Sequence, residues 1–144
     1  MSAAGPGFGV KRILFVDDEK NILEGIRRML HAHRHRWEME FVTSGAAALR
    51  AAKQGAFDLV VSDLKMPGMD GAELLGHIGD LFPGTGRIIL SGYSEPVLAA
   101  RAALVACRVL TKPCNAVELK DTIERVFTLW GVCCTHPCPG LSAP

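Results

Sequence analysis

The sequence predicts an α/β fold, a doubly wound sheet of five parallel strands alternating with five helices. Three observations carry that prediction. Short apolar runs alternate with segments of helical periodicity five times along the chain, the pattern of right-handed strand–helix–strand crossovers. The first, third, fourth and fifth runs are nearly unbroken apolar stretches, as strands covered on both sheet faces require. Each of those four runs stops on a polar side chain: Asp17 and Asp18, Asp63, Ser91, and Lys112.

The elements follow in order. Residues 1–9, rich in Gly and small side chains, read as a disordered N-terminal extension. RILFVDDE is the first strand, with Ile13, Leu14, Phe15 and Val16 halted by acids. Ile22, Leu23, Ile26, Met29 and Leu30 then fall on one face of a first helix. HAHRHR reads as its solvated end. WEMEFVT alternates like a second strand, and SGAAALRAAKQG is a second helix capped by Thr43 or Ser44 and stopped at Gly55. FDLVVSD is the third strand. Asp70 is placed to cap a third helix carrying Leu74, Leu75, Ile78, Leu81 and Phe82. RIILSG is the fourth strand and EPVLAARAALVAC the fourth helix; RVLTKP closes the strand series. Asn115 and Glu118 form a capping pair for a last helix with Leu119, Ile123, Val126, Phe127 and Trp130 on its stripe. Residues 10–130 thus make one domain, with 131–144 a flexible Cys- and Pro-rich tail.

Composition narrows the function. The net charge is +1, from 16 basic and 15 acidic side chains, so the chain as a whole has no pull toward nucleic acid or anionic lipid. No apolar run approaches the ~20 residues of a membrane span, and the N-terminus lacks the pattern of a secretory signal; the expected compartment is the cytoplasm. The five cysteines and His136 have no zinc-finger spacing, and the expectation is of reduced thiols rather than a metal site.

The strand-terminal residues hold the chemistry. In an open parallel sheet all carboxyl ends point the same way, and ligands bind there. Asp17, Asp18, Asp63, Ser91 and Lys112 can therefore converge on one rim. Three carboxylates at one place repel, which raises at least one pKa unless a cation intervenes. Mg²⁺ suits the site because it takes oxygen ligands, often one or two carboxylates plus phosphate oxygens. Lys112 supplies a compact positive charge and Ser91 a hydroxyl for a phosphoryl oxygen. These are the parts for making an aspartyl phosphate, with Asp63 as nucleophile. Taken singly, Asp17 or Asp18 could equally cap a helix and Lys112 could be a solvated charge; the argument is their convergence.

FVDDE, SDLKMPGMDG, ILSG and LTKP, in this order and at these separations, resemble the receiver domain of two-component response regulators, over roughly Lys11 to Trp130. The resemblance implies a flavodoxin-like sheet of strand order 2-1-3-4-5. It implies phosphorylation on Asp63 and an acidic pocket of Asp17, Asp18 and Asp63. Mg²⁺ would be held by Asp18, Asp63 and the backbone carbonyl of Lys65. Ser91 and Lys112 match the family's hydroxyl and lysine, and Pro113 the proline that follows a cis peptide bond. The implied partners are a histidine kinase or phosphotransfer protein, and an output domain or partner at the face of the fourth helix, fifth strand and fifth helix. A homodimer is a further expected partner, and neither direct nucleic-acid contact nor a membrane is expected. Such a domain is no enzyme beyond its own phosphoryl transfer and slow dephosphorylation.

Three positions depart from the family pattern or tune it. Val109 stands where receivers commonly carry an aromatic residue that relays the signal. Tyr93 and Lys65 occupy positions that flank the phosphoryl group, and a bulky Tyr93 is expected to shield it from water. The alternative function is a phosphate-independent interaction module on the receiver fold. A haloacid-dehalogenase-type phosphatase would need an aspartate two residues after its nucleophile, where this chain has Lys65.

Overall fold

The computed structural model describes residues 10–92 and 96–132. Five strands alternate with five α-helices. They are β1 (Lys11–Val16), α1 (Lys20–Met29), β2 (Trp37–Val42), α2 (Gly45–Gln54), β3 (Leu59–Asp63), α3 (Gly71–Leu81), β4 (Gly86–Ser91), α4 (Pro96–Ala103), β5 (Arg108–Thr111) and α5 (Ala116–Val132). A 3₁₀ turn, His31–His33, follows α1. The sheet order is β2-β1-β3-β4-β5, every neighbouring pair parallel. The α/β class, the doubly wound sheet and its order are as expected.

The period-2 geometry of the central strands explains the two cores. Ile13 and Phe15 of β1 face one side, where they meet Leu23 and Ile26 of α1 and Leu119, Ile123 and Val126 of α5. Leu14 and Val16 face the other, against Ala48 and Ala52 of α2, Leu74, Leu75 and Ile78 of α3, and Ala102 of α4. Every residue of β3 and β4 is buried. Each such large apolar side chain removed from water contributes about 1.5–3 kcal/mol, so the strands that end in Asp17, Asp63 and Ser91 are anchored from both faces.

The fifth strand differs from the expectation. Its burial alternates between intermediate and exposed, and Val109 is 36% exposed. β5 lies at the sheet edge, so an apolar run there reflects one covered face rather than two. Met29 and Leu81 likewise sit on helical stripes in the sequence but are 39% and 51% exposed. They occupy the last turns of α1 and α3, next to the buried Leu30 and three residues after the buried Ile78.

Local capping follows the side-chain chemistry. The Ser44 hydroxyl accepts from the Ala47 N–H, settling the choice between Thr43 and Ser44, and the Asp70 carboxylate accepts from the Glu73 N–H. Asn115 and Glu118 bond reciprocally, each side chain accepting from the other's N–H. The HAHRHR segment is largely solvated, yet its end is pinned. Trp37 is buried against His33 and Phe127, and Arg36 reaches Glu124 of α5 at 2.7 Å. Cys107 is buried and disulfide-bonded, while Cys114 is free; the tail cysteines expected to be reduced lie outside the described residues. The N-terminal extension, Tyr93 and the tail after residue 132 lie outside the described residues.

The turn after β3 brings α3 back against the strand that precedes it. Gly68 has φ +76°, a conformation glycine adopts without Cβ strain. The Gly71 N–H donates to the Leu64 carbonyl at 2.7 Å, and a Cβ at Gly71 would overlap the backbone carbonyl of Asp63 and crowd Ile89. Gly71→Ala is therefore expected to force α3 off the strand end, lowering the melting temperature by about 5 °C or more. Gly84→Ala, whose Cβ meets nothing within 4 Å, is expected to stay within about 2 °C of the parent. Thermal unfolding followed by circular dichroism measures both.

Candidate functional site

Four of the five strands deliver their last residues to one end of the sheet. Asp17 follows β1, Asp63 ends β3, Ser91 ends β4 and Lys112 follows β5. Register makes them neighbours: Val16 pairs with Ser62, Asp63 with Leu90, and Ser91 with Thr111. The Lys112 N–H donates to the Ser91 carbonyl at 2.7 Å, carrying the ladder one residue further. The next peptide bond, Lys112–Pro113, is cis, as the family resemblance implied.

The side chains converge. Lys112 Nζ lies 2.6 Å from Asp63 Oδ1 and 3.8 Å from Asp17 Oδ2. One carboxylate oxygen from each of Asp17, Asp18 and Asp63 falls within 4.8 Å of the others. Asp17 is 2% exposed and Asp63 8%, whereas Asp18 is open to solvent. Asp17 Oδ1 accepts from the Glu19 N–H at 2.9 Å, so this carboxylate also braces the chain entering α1. A cleft of about 490 Å³ opens above them, and Asp18, Glu19, Asp63, Lys65 and Lys112 contribute its charged wall.

Electrostatics follow from burial and like charge. Burial, and then the neighbouring Asp63 and Asp18 carboxylates, push Asp17 up to about 6, against the pull of the Glu19 N–H and Lys112. Burial also raises Asp63, helped by Asp18 and opposed by the hydrogen bond from Lys112. For Lys112 burial acts downward, but the bond to Asp63 and the charges of Asp63, Asp17 and Glu19 prevail and hold the ammonium above its usual range. The lysine thus offsets part of the acidic charge.

Asp17 Oδ2 is buried with no hydrogen-bond partner. An oxygen-only donor set of three close carboxylates, one carrying an unsatisfied buried oxygen, fits a hard divalent cation such as Mg²⁺. Asp17, Asp18 and Asp63 are the side chains that would surround it, and Lys65 lines the same cleft.

Ser91 stands at the expected strand end, 4% exposed, but its hydroxyl donates to the Gly92 carbonyl at 3.0 Å rather than facing Asp63. Gly92, not Ser91, lines the cleft. Val109 sits on the edge strand, paired with Ile89. Sequence reasoning overlooked Glu19; an acid immediately after an acidic pair was the available signal.

A doubly wound parallel sheet with an acidic pocket at its carboxyl edge, a lysine at the fifth strand end and a hydroxyl at the fourth defines a class of α/β signalling domain. The chain belongs to the response regulator receiver domain family, whose profile matches residues 13–124. It is 35% identical over 115 residues to the response regulator protein FleR of Pseudomonas aeruginosa, covering 79% of this chain and 24% of FleR. It is 32% identical over 127 residues to the transcriptional regulatory protein YesN of Bacillus subtilis, covering 81% of this chain and 32% of YesN. The chain therefore spans about a quarter to a third of these relatives.

Among solved structures, the signal receiver domain of an HD domain-containing protein from Pseudomonas fluorescens Pf-5 superposes with a TM-score of 0.80 at 29% identity, covering 85% of this chain and 98% of that one. The response regulator TrrA of Thermotoga maritima, solved in complex with Mg²⁺-BeF, gives 0.72 at 32% identity, covering 81% and 99%.

A carboxyl whose pKa is higher folded than unfolded binds its proton more tightly in the folded state, so stability falls as pH rises across the interval between the two values. For Asp17 that interval runs from its ordinary value of 3.8 to about 6. In metal-free buffer, raising the pH across that interval is expected to cost about 2 kcal/mol through this group. Asp17→Asn is expected to flatten that slope and to melt several degrees above the parent at pH 7.5, as chemical and thermal unfolding at stepped pH would show.

Proposed function

We propose that this receiver accepts a phosphoryl group on Asp63 and uses the modified rim to switch a protein–protein contact in two-component signalling. The observation that carries the reading is the placement of the Asp63 carboxylate: nearly buried at a strand end, 2.6 Å from Lys112 and in reach of two further carboxylates. A carboxylate so placed is held for attack at an electrophile entering the cleft, and the surrounding groups offset charge on that electrophile.

In the proposed step an Asp63 carboxylate oxygen attacks the phosphorus of the donor. The bond from phosphorus to the donor's leaving atom breaks, and the leaving group departs with the electron pair. With a phosphohistidine donor the bond lost is P–N; with acetyl phosphate it is P–O and acetate leaves. Mg²⁺, when bound, would supply charge neutralisation at the phosphoryl oxygens. Lys112 stays protonated and contributes its charge from the strand-end side. Ser91 would exchange its bond to the Gly92 carbonyl for one to a phosphoryl oxygen by rotating its hydroxyl. The Mg²⁺-BeF complex of TrrA supports the same ligand chemistry for this pocket by likeness.

The donor in this reading is a histidine kinase or phosphotransfer protein, and the compartment is the cytoplasm. No helix among the described residues is long and apolar enough to cross a membrane. Output would leave through α4, β5 and α5, which carry the exposed Val97, Val109 and Val117. Phosphorylation adds charge and acceptors at one end of β4, next to the start of α4, and so biases the position of that helix. With Val109 in place of an aromatic side chain, the shift would pass through Ser91 and backbone rather than through a ring. Tyr93, the expected shield of the phosphoryl group, belongs to the residues outside the description.

The competing reading, an interaction module that works without phosphate, draws on the inward-bonded Ser91 hydroxyl and on Val109. Intact mass after incubation with acetyl phosphate and Mg²⁺ separates the two. The parent is expected to gain the mass of one phosphoryl group, and Asp63→Asn none. An unmodified parent would leave the phosphate-independent module standing.

A further inference from the structure

The cleft contains an acid for which neither strand geometry nor the phosphoacceptor chemistry accounts. Glu19 is the N-cap residue of α1, yet its side chain makes no capping hydrogen bond. Among the described residues its carboxylate enters no ion pair or hydrogen bond; its backbone N–H donates to Asp17 Oδ1, and its carbonyl accepts from the N–H groups of Ile22 and Leu23. The side chain nevertheless lines the cleft beside Asp18, Asp63, Lys65 and Lys112. Its charge is felt there, since Glu19 is one of the carboxylates that hold the Lys112 ammonium above its usual range.

Lys65 stands in the opposite sense. It lines the same cleft two residues after Asp63 and brings a second ammonium to a site whose oxygens suit a divalent cation. A positive charge on the wall of a cation site opposes occupancy by repulsion. With Asp17, Asp18, Glu19 and Asp63 against Lys65 and Lys112, the cleft holds four carboxylates and two ammonium groups, a surplus of two negative charges. A divalent cation balances that surplus. Without Glu19 the surplus drops to one, and the same cation would leave the cleft positive while Asp17 Oδ2 still waits, buried, for a partner.

We propose that Glu19 is a positioning residue for divalent-cation binding: its free carboxylate offsets the Lys65 ammonium across the cleft and thereby sets how tightly the acidic pocket holds the metal. It acts through charge at short range, not as a ligand. The inference rests on the reading of the pocket as a Mg²⁺ site.

Isothermal titration calorimetry of the full chain with MgCl₂ at pH 7.5, without any phosphodonor, tests it. Glu19→Gln is expected to weaken Mg²⁺ binding roughly three- to tenfold at low salt, with a smaller loss at 0.5 M KCl because the cleft is open to screening. Lys65→Met is expected to tighten binding by a similar factor. Glu19→Gln combined with Lys65→Met is expected to return the dissociation constant to within about twofold of the parent, because the two charges oppose each other. Glu19→Asp, which keeps the charge, is expected to retain most of the affinity. Asp18→Asn serves as the control that the heat comes from this pocket and is expected to abolish it.

A parent that binds no Mg²⁺ overturns the metal-site reading itself. A parent that binds, with Asp18→Asn silent and Glu19→Gln unchanged within twofold, overturns only the role given to Glu19. Weakened binding in Glu19→Gln that Lys65→Met does not restore also overturns it, since the effect would then be structural rather than a charge balance. Circular dichroism melts of each variant identify any that fail to fold, and Glu19→Asp keeps the comparison decisive if Glu19→Gln is one of them.

Discussion

The molecule is organised around a carboxylate cluster that the fold holds together against its own repulsion. Asp17 and Asp63 are almost out of contact with water, and Asp18 adds a third charge within hydrogen-bonding reach of a shared ligand. Burial and mutual repulsion both disfavour three ionised acids at such spacing. Lys112 answers part of the cost by bridging Asp63 and Asp17, but it leaves Asp17 Oδ2 without a hydrogen bond. The strain is local and electrostatic, and a hard cation with oxygen ligands would relieve it.

Everything that keeps the cluster in place is ordinary packing. β1 and β3 are clamped by two apolar cores, one with α1 and α5, the other with α2, α3 and α4. Because each strand alternates its side chains between these cores, a slip of one residue would exchange the two faces, so register is strongly determined. Strand ends that cannot slip place their terminal side chains reproducibly. The loop after β3 adds a steric constraint, since α3 returns so close to Asp63 that only glycine fits at position 71. Asp70, capping α3, also lies 3.8 Å from Arg101 of α4, a weak ion pair that relates these two helices.

The edge of the sheet carries the features that distinguish this receiver. β5 is short and half-exposed, and around it Val97, Leu104, Val109 and Val117 reach solvent. A valine holds one preferred rotamer against its backbone far more rigidly than a tyrosine or phenylalanine swings about its χ1. A side-chain gate of the aromatic kind therefore has no counterpart at position 109.

Much of this was written along the chain. The alternation of strands and helices, the caps at Ser44, Asp70 and Asn115, and the identity of the strand-terminal acids depend on residues close in sequence, so local periodicity and hydrogen-bonding chemistry reveal them. The burial of β5 was misjudged because an apolar run looks the same whether one face or two are covered, and only the strand order distinguishes them. The partner of the Ser91 hydroxyl, the bridge from Lys112 to two aspartates and the place of Glu19 on the cleft wall are relations between atoms brought together by folding. The sequence alone determined which groups stand at the strand ends; tertiary structure decided their distances and their desolvation, because both depend on the packing of segments remote from one another along the chain.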